Sequence, residues 1–396
     1  MHLLFHPTSH ANPIALFGLT LLLGLIGGEL AARSYFLPRI TGYIIVGFLV
    51  GPSVFNMVTP SLLAGARIFI EISLGLILFD LGRHLDFTWL RHDRGIMLMS
   101  IAESSLTFIL ALSILFAFQI PLLYAALAAS IIATTSPAVV MMVADDLNSK
   151  GPVTRRTLIL TSLNNLFGLV TFTILLPFLR TTPPHILIES IVYRLIGSIL
   201  LGIAIFLLVL GIAYLIGKRK ENQFILFIGS VMFAIGGAVM LNLSSMLTLF
   251  TLGVAARNFN YKYLLTEVDF GWLAKLFFIL LFVITGAHIQ LNGLWQATGI
   301  VLLILCARML AKISGIWLFA KYSRLTNQQA WALGSALTPM AGLAIGMSNI
   351  IFDLAPNLGY QLMTIITTIV AILTIIGPIA TQLAFIKSEE ALLQNS

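Results

Sequence analysis

Apolar residues fill stretches of about 20 positions that recur along the whole chain, the length a helix needs to cross a hydrocarbon core of about 30 Å. Short segments rich in Gly, Pro, Asn and charge separate them. Strict apolar–polar alternation is missing, which argues against a β-barrel. The pattern predicts helices over 13–32, 39–51, 61–83, 95–118, 121–144, 155–179, 186–217, 223–241, 243–257, 272–288, 295–320, 328–351 and 360–386. The first apolar run lacks a basic leader and ends at Glu29 and Arg33 without a cleavage site, so it reads as a helix and not as a signal peptide.

Composition agrees. Of 396 residues, 59% are apolar and 9% charged, with a mean hydropathy of +1.02. A soluble domain carries roughly a quarter charged residues, so most of this surface must face lipid. The net charge of +7 would suit nucleic acid, but the charges sit in short loops and form no stripe, so no nucleic-acid partner is expected. Sixteen of the 22 Lys and Arg residues fall on one side of the thirteen spans, Arg180 falls on the other, and Arg67, Arg194, Lys275, Arg308 and Lys312 lie within spans. The positive-inside rule then places the N-terminus outside and the C-terminus in the cytoplasm of a multi-pass protein, with a bacterial inner (plasma) membrane as the expected location. The single cysteine, Cys306, excludes an internal disulfide.

Two pairs of segments repeat. Leu78-Phe79-Asp80-Leu81-Gly82 matches Phe282-Val283-Ile284-Thr285-Gly286 at an offset of 204, and Thr135-Ser136-Pro137-Ala138 matches Leu337-Thr338-Pro339-Met340 at 202. Each match lies seven helices apart, and an odd shift reverses direction. The expected architecture is therefore all-α: about thirteen transmembrane helices in two inverted six-helix repeats, 1–180 and 223–387, joined by a linker helix over 186–217. Pro137 and Pro339 each remove a helical hydrogen bond within a span. The freed carbonyls need protein or a water-filled cavity, and broken helices at matching positions of inverted repeats point to a midplane site. Thr134, Thr135, Ser136, Pro137, Thr338 and Pro339 form the expected crossing of the two breaks.

Ionisable or strongly polar residues within spans are costly and read by default as functional. Arg308 and Lys312 lie on the eleventh helix, Glu103 on the fourth, Glu71 and Asp80 on the third, and Asn164-Asn165 on the sixth. At 1.5 Å per residue the Asn pair is about 14 Å deep and Glu103 about 12 Å. Arg308 is too central to snorkel, so an acidic partner or a cavity is expected for it. No HExxH, nucleotide-binding glycine loop or serine–histidine constellation is present, so neither an enzyme, a cofactor nor a metal site is expected.

At these residues the chain resembles the monovalent cation:proton antiporter superfamily. Leu37-Pro38-Arg39-Ile40-Thr41-Gly42-Tyr43 with Gly47 and Gly51-Pro52, Glu71 through Gly82 with Asp86, Ala133 through Ala138, Ala311-Lys312-Ile313-Ser314-Gly315 and Leu337-Thr338-Pro339 carry the likeness. The resemblance implies a six-helix core moving against a dimerisation domain, alternating access, a homodimer, and sodium or potassium with protons as partners. One departure matters. Where that superfamily carries an aspartate pair or Asn-Asp, this chain has Asn164-Asn165. An amide cannot titrate or neutralise a cation. The expected substitute is Glu103, paired with Arg308 or Lys312, with Asp80 as the second candidate. The competing readings are an ion-sensing membrane protein without transport and an uncoupled carrier of another small solute.

Overall fold

With no water in the bilayer core, a spanning backbone must satisfy its own hydrogen bonds, and helix does so within each segment. The computed structural model describes residues 13–34, 37–55, 57, 67–179, 183–217, 219–259, 271–287 and 298–391. Within them run α1 (Pro13–Ala32), α2 (Arg39–Val50), α3 (Arg67–Arg83), α4 (Phe87–His92), α5 (Arg94–Ala117), α6 (Leu122–Ala133), α7 (Pro137–Asp146) and α8 (Pro152–Leu175). The chain continues through α9 (Pro184–Ile216), α10 (Lys220–Met240), α11 (Ser245–Asn258), α12 (Gly271–Ala287), α13 (Thr298–Phe319), α14 (Asn327–Ala336), α15 (Gly342–Leu354) and α16 (Pro356–Lys387). No strand occurs among the described residues. Among the described residues, seven helical stretches are long and apolar enough to cross a bilayer, and four shorter apolar helices accompany them. The chain is a multi-pass integral membrane protein. The side chains of Arg67 and Lys275, and the early histidines His2, His6 and His10, lie outside the described residues.

The expected span over 121–144 is two helices. α6 stops at Ala133, Thr134 and Ser136 are extended, and Pro137 opens α7. The span over 328–351 divides likewise: α14 ends at Ala336 and α15 begins at Gly342. Proline alone does not break a helix here, because Pro378 sits inside α16. The short helix α4 was not anticipated. It is capped by Asp86, whose carboxylate accepts from the Thr88 and Trp89 amides, and it is too short to register as an apolar period.

Close backbone contact sets the core that holds these breaks. A Cβ on Gly315 of α13 would lie 2.5 Å from Glu103 Cα of α5, so only glycine permits this approach. On α8, a Cβ at Gly168 would lie 2.4 Å from Thr134 Cγ2 and 2.9 Å from the Ser130 carbonyl. These two contacts bring α5, α6, α8 and α13 around one buried centre.

Candidate functional site

The centre is built from the carbonyls that the two breaks release. Proline at 137 cannot donate to Ala133, and that carbonyl instead accepts from Lys312 Nζ at 3.2 Å. The carbonyl of Ile132 has lost its helical donors too. The Ser136 amide turns to Pro339 O at 2.8 Å, and the Thr135 amide to Asn164 Oδ1 at 3.3 Å. Arg308 Nη1 donates to Ile132 O in their place. At the second break, the Ser335 carbonyl, freed by Pro339, accepts from Thr338 Oγ1 at 2.6 Å. Arg308 Nη2 lies 3.4 Å from Leu337 O, 3.3 Å from Thr338 O and 3.4 Å from Pro339 O. Thr135 Oγ1 joins the breaks directly by donating to Leu337 O at 3.0 Å.

Arg308 therefore differs from expectation. Its partners are backbone carbonyls at the C-terminal ends of α6 and α14, the negative poles of both helices. A planar guanidinium with five donors can serve several carbonyls at once, which an ammonium cannot. Arg308 is 2% exposed, and its Nε has no hydrogen-bond partner.

Glu103 and Lys312 come together. Lys312 Nζ lies 2.9 Å from Glu103 Oε2, and both side chains are fully buried. The Ser104 hydroxyl donates to Glu103 Oε1 at 3.1 Å. The pair is carried by α5 and α13, at the contact that Gly315 makes possible. A buried carboxylate and ammonium are costly unless paired and hydrogen-bonded, and here both conditions hold.

Asn164 and Asn165 sit beside the first break, both fully buried. Asn164 bonds the Thr135 backbone through Oδ1, and its Nδ2 donates to Thr135 Oγ1 at 2.9 Å. Asn165 Nδ2 faces three oxygens: Thr135 O at 2.7 Å, Thr161 O at 2.8 Å and Asn164 Oδ1 at 3.3 Å. Three acceptors around one nitrogen fix the orientation of this amide, since the flipped form would set oxygen against oxygen. Asn165 Oδ1 and Thr161 Oγ1, one turn apart on α8, are buried without a hydrogen-bond partner. Two orphan oxygens on one helix face are acceptor groups open to a cation, a water or a donor hydrogen.

Asp80 is elsewhere. It is about a third exposed and pairs with Arg83 at 3.5 Å, and its carbonyl meets His84 Nδ1. The sequence did not single out Thr161, and Gly315 entered only as the last residue of the Lys312 segment, with no contact assigned to it. Their signals were present only as a threonine one turn before the Asn pair and a glycine one turn after Lys312.

The fold is similar to solved antiporters. A structure of the sodium proton antiporter MjNhaP1 from Methanocaldococcus jannaschii at pH 8 matches with a TM-score of 0.69 and 20% identity, covering 95% of each chain. An electron-microscopy map of the same protein matches at 0.70 and 18%, covering 97% of this chain and 98% of that one. No curated protein sequence matches the chain. A family model described as sodium/hydrogen exchanger, transmembrane, matches residues 18–387, and the chain belongs to that family.

Proposed function

We propose that this protein exchanges a monovalent cation, sodium or potassium, for protons by alternating access, with Glu103 as the titrating carboxylate and Lys312 as its counter-ion. The observation that carries this reading is the buried 2.9 Å pair of Glu103 and Lys312 beside the Ala133 carbonyl at the first break. A cation that reaches Glu103 competes with the ammonium, and so does a proton. Competition of two ions for one carboxylate is the condition for exchange. Asn164, Asn165 and Thr161 then supply neutral oxygens that strip water from the cation without setting its charge.

The reading carries with it thirteen membrane crossings, the N-terminus outside and the C-terminus in the cytoplasm, inverted repeats over 1–180 and 223–387, and a homodimer. The sixteen α-helices among the described residues, less the short α4 and with each broken pair counted once, support thirteen crossings. Residues related by the repeat offset also meet. Thr135 bonds Leu337, 202 positions on, and Ser73 Oγ donates to Phe277 O, 204 positions on. Contacts between equivalent residues are what a two-fold axis between inverted halves produces. Gly82 of α3 packs on α11, while its counterpart Gly286 of α12 packs on α2, a reciprocal exchange under the same shift.

The test is ion-driven pH change in proteoliposomes. Wild type is expected to move protons when a sodium or potassium gradient is applied, Glu103→Gln to abolish it, and Asp80→Asn to leave it in place. Unimpaired exchange in Glu103→Gln refutes the role of that carboxylate. Solute flux without proton movement in wild type favours an uncoupled carrier, and no flux of either kind favours an ion sensor.

A further inference from the structure

We propose that the Arg39–Asp146 ion pair is a latch that holds the moving core against its scaffold at one end of the protein, an inference that rests on the alternating-access reading above. The closest backbone approaches sort the helices into two bodies. In the first, a Cβ on Gly42 of α2 would lie 2.1 Å from Gly27 O of α1, and one on Gly47 would lie 2.0 Å from Val283 O of α12. Gly82 of α3 stands in the same relation to Phe250 O of α11, at 2.3 Å. The second body holds the site. Gly315 lies on Glu103, Gly168 on Ser130 and Thr134, and a Cβ on Gly377 of α16 would lie 2.6 Å from Pro339 Cα.

Between the bodies the fit is different in kind. Gly342 and Gly346 of α15 face the first body, and the nearest atoms to a Cβ there are side-chain tips, Leu281 Cδ1 at 3.2 Å and Met246 Cε at 3.3 Å. Backbone seated on backbone fixes a register, whereas side-chain tips repack as one helix slides past another. The seam runs along α15 and along α7, which packs on α2 and α3.

Arg39 bridges that seam. It is the first residue of α2, and its Nη1 lies 3.1 Å from Asp146 Oδ1 at the last residue of α7. Its Nη2 lies 3.6 Å from Glu29 Oε2 of α1. One guanidinium thus has an arm on each body. Asp146 terminates the half-helix that runs back to the crossing, so a one-turn shift of α7 separates the pair. The partners are 35% and 24% exposed, and a partly wet ion pair gives only about a fivefold bias between two states. Such a contact can open in every cycle. The Asp93–Arg156 pair at 3.0 Å, by contrast, ties α8 to the start of α5 inside the core and does not span the seam.

The experiment reads the seam and needs no transport. Ser162 of α8 donates to Leu81 O of α3 at 2.9 Å, so it sits where core meets scaffold. A single cysteine is placed there by Ser162→Cys in full-length protein carrying Cys306→Ser, and its labelling by a water-soluble maleimide is timed in liposomes without an ion gradient. Arg39→Gln is expected to speed labelling about fivefold and Arg39→Asp about tenfold, with Arg39→Asp plus Asp146→Arg returning to within about threefold of the parent. Single variants that label within twofold of the parent overturn the latch. So does a charge-swapped pair that labels as fast as the single reversal, which means only a damaged fold. If the parent moves no ions yet the labelling follows this pattern, the exchange reading fails and the latch stands.

Discussion

Replacing Arg308 by methionine removes the donors that close both helix breaks, and the cost can be worked from its partners. Leu337 O keeps the Thr135 hydroxyl and Pro339 O keeps the Ser136 amide. Ile132 O keeps nothing, because the Thr135 and Ser136 amides that should serve it are turned elsewhere. Thr338 O loses its guanidinium contact as well. A buried carbonyl left without a donor costs about 1–3 kcal/mol, so two of them cost about 2–6 kcal/mol. Relief from burying the Arg308 charge, with its unpartnered Nε, offsets part of this. The net expectation is a loss of about 3 kcal/mol. In detergent-solubilised protein followed by intrinsic fluorescence, that corresponds to an apparent Tm lower by about 5 °C, with the shift per kcal/mol reduced for so long a chain. Arg308→Lys should recover less than half, since one ammonium cannot span the carbonyls of both breaks. A methionine variant melting within 1 °C of wild type refutes the claim that Arg308 closes the breaks.

Other outcomes follow from single contacts. Gly315→Ala drives a Cβ to 2.5 Å from Glu103 Cα, and it is expected to cost roughly 2 kcal/mol and to impair exchange, read by melting and proteoliposome flux. Glu390 accepts from the Val153 and Thr154 amides and the Thr154 hydroxyl, capping α8 from the end of the chain. Glu390→Ala should speed hydrogen exchange at those two amides at least tenfold while leaving the amides of α13 unchanged. For Asp86, burial alone would raise the carboxyl. The Arg257 hydrogen bond and the Trp89 and Thr88 amides outweigh it and hold the carboxyl below its ordinary value. A depressed folded value means that its stabilisation is present above the unfolded value near pH 4 and is lost as pH falls through the folded one. Asp86→Asn should therefore lower Tm at pH 7 and converge on wild type as pH falls below the depressed folded value.

Much of this arrangement was legible because membrane burial makes polar residues conspicuous. Pro137 and Pro339 announced the two breaks, and in the fold the breaks lie together, joined by the Thr135 hydroxyl and the Ser136 amide. Glu103 and Lys312 were both singled out as costly at their depth, yet Arg308 was an equal candidate for the carboxylate. The choice depended on a glycine contact between α13 and α5 that no periodicity records. Likewise, Arg308 was expected to need an acid or a cavity because charge was counted and carbonyls were not. Backbone groups have no letter in a sequence, so the demand of two broken helix ends for donors became visible only once the chain was folded. The α4 turn escaped for a different reason. Its six residues are capped by Asp86, and only Trp89 and Leu90 pack against the apolar core, too few to form a period.

If exchange runs through this centre as proposed, charge balance offers a route for it with amides at 164 and 165. Glu103, Lys312 and Arg308 sum to one positive charge. The C-terminal poles of α6 and α14 each contribute about half a negative charge, so the resting centre is close to neutral. A cation arriving there without compensation would leave a net charge in a low-dielectric interior, at a cost of several kcal/mol. Under the exchange proposed above, release of the one proton that the Glu103–Lys312 pair holds restores neutrality, so the charge count makes one-for-one exchange the expected stoichiometry without any single aspartate. Asn165→Asp tests this directly. It adds a carboxylate where three oxygens now face an NH2 group, and only its protonated form can donate to them. The N165D variant should consequently melt at a lower temperature at pH 9 than at pH 5, and its exchange should move more net charge per cation, read as a membrane potential in liposomes. Electrically silent exchange in both proteins would show that the charge at this position does not set the coupling.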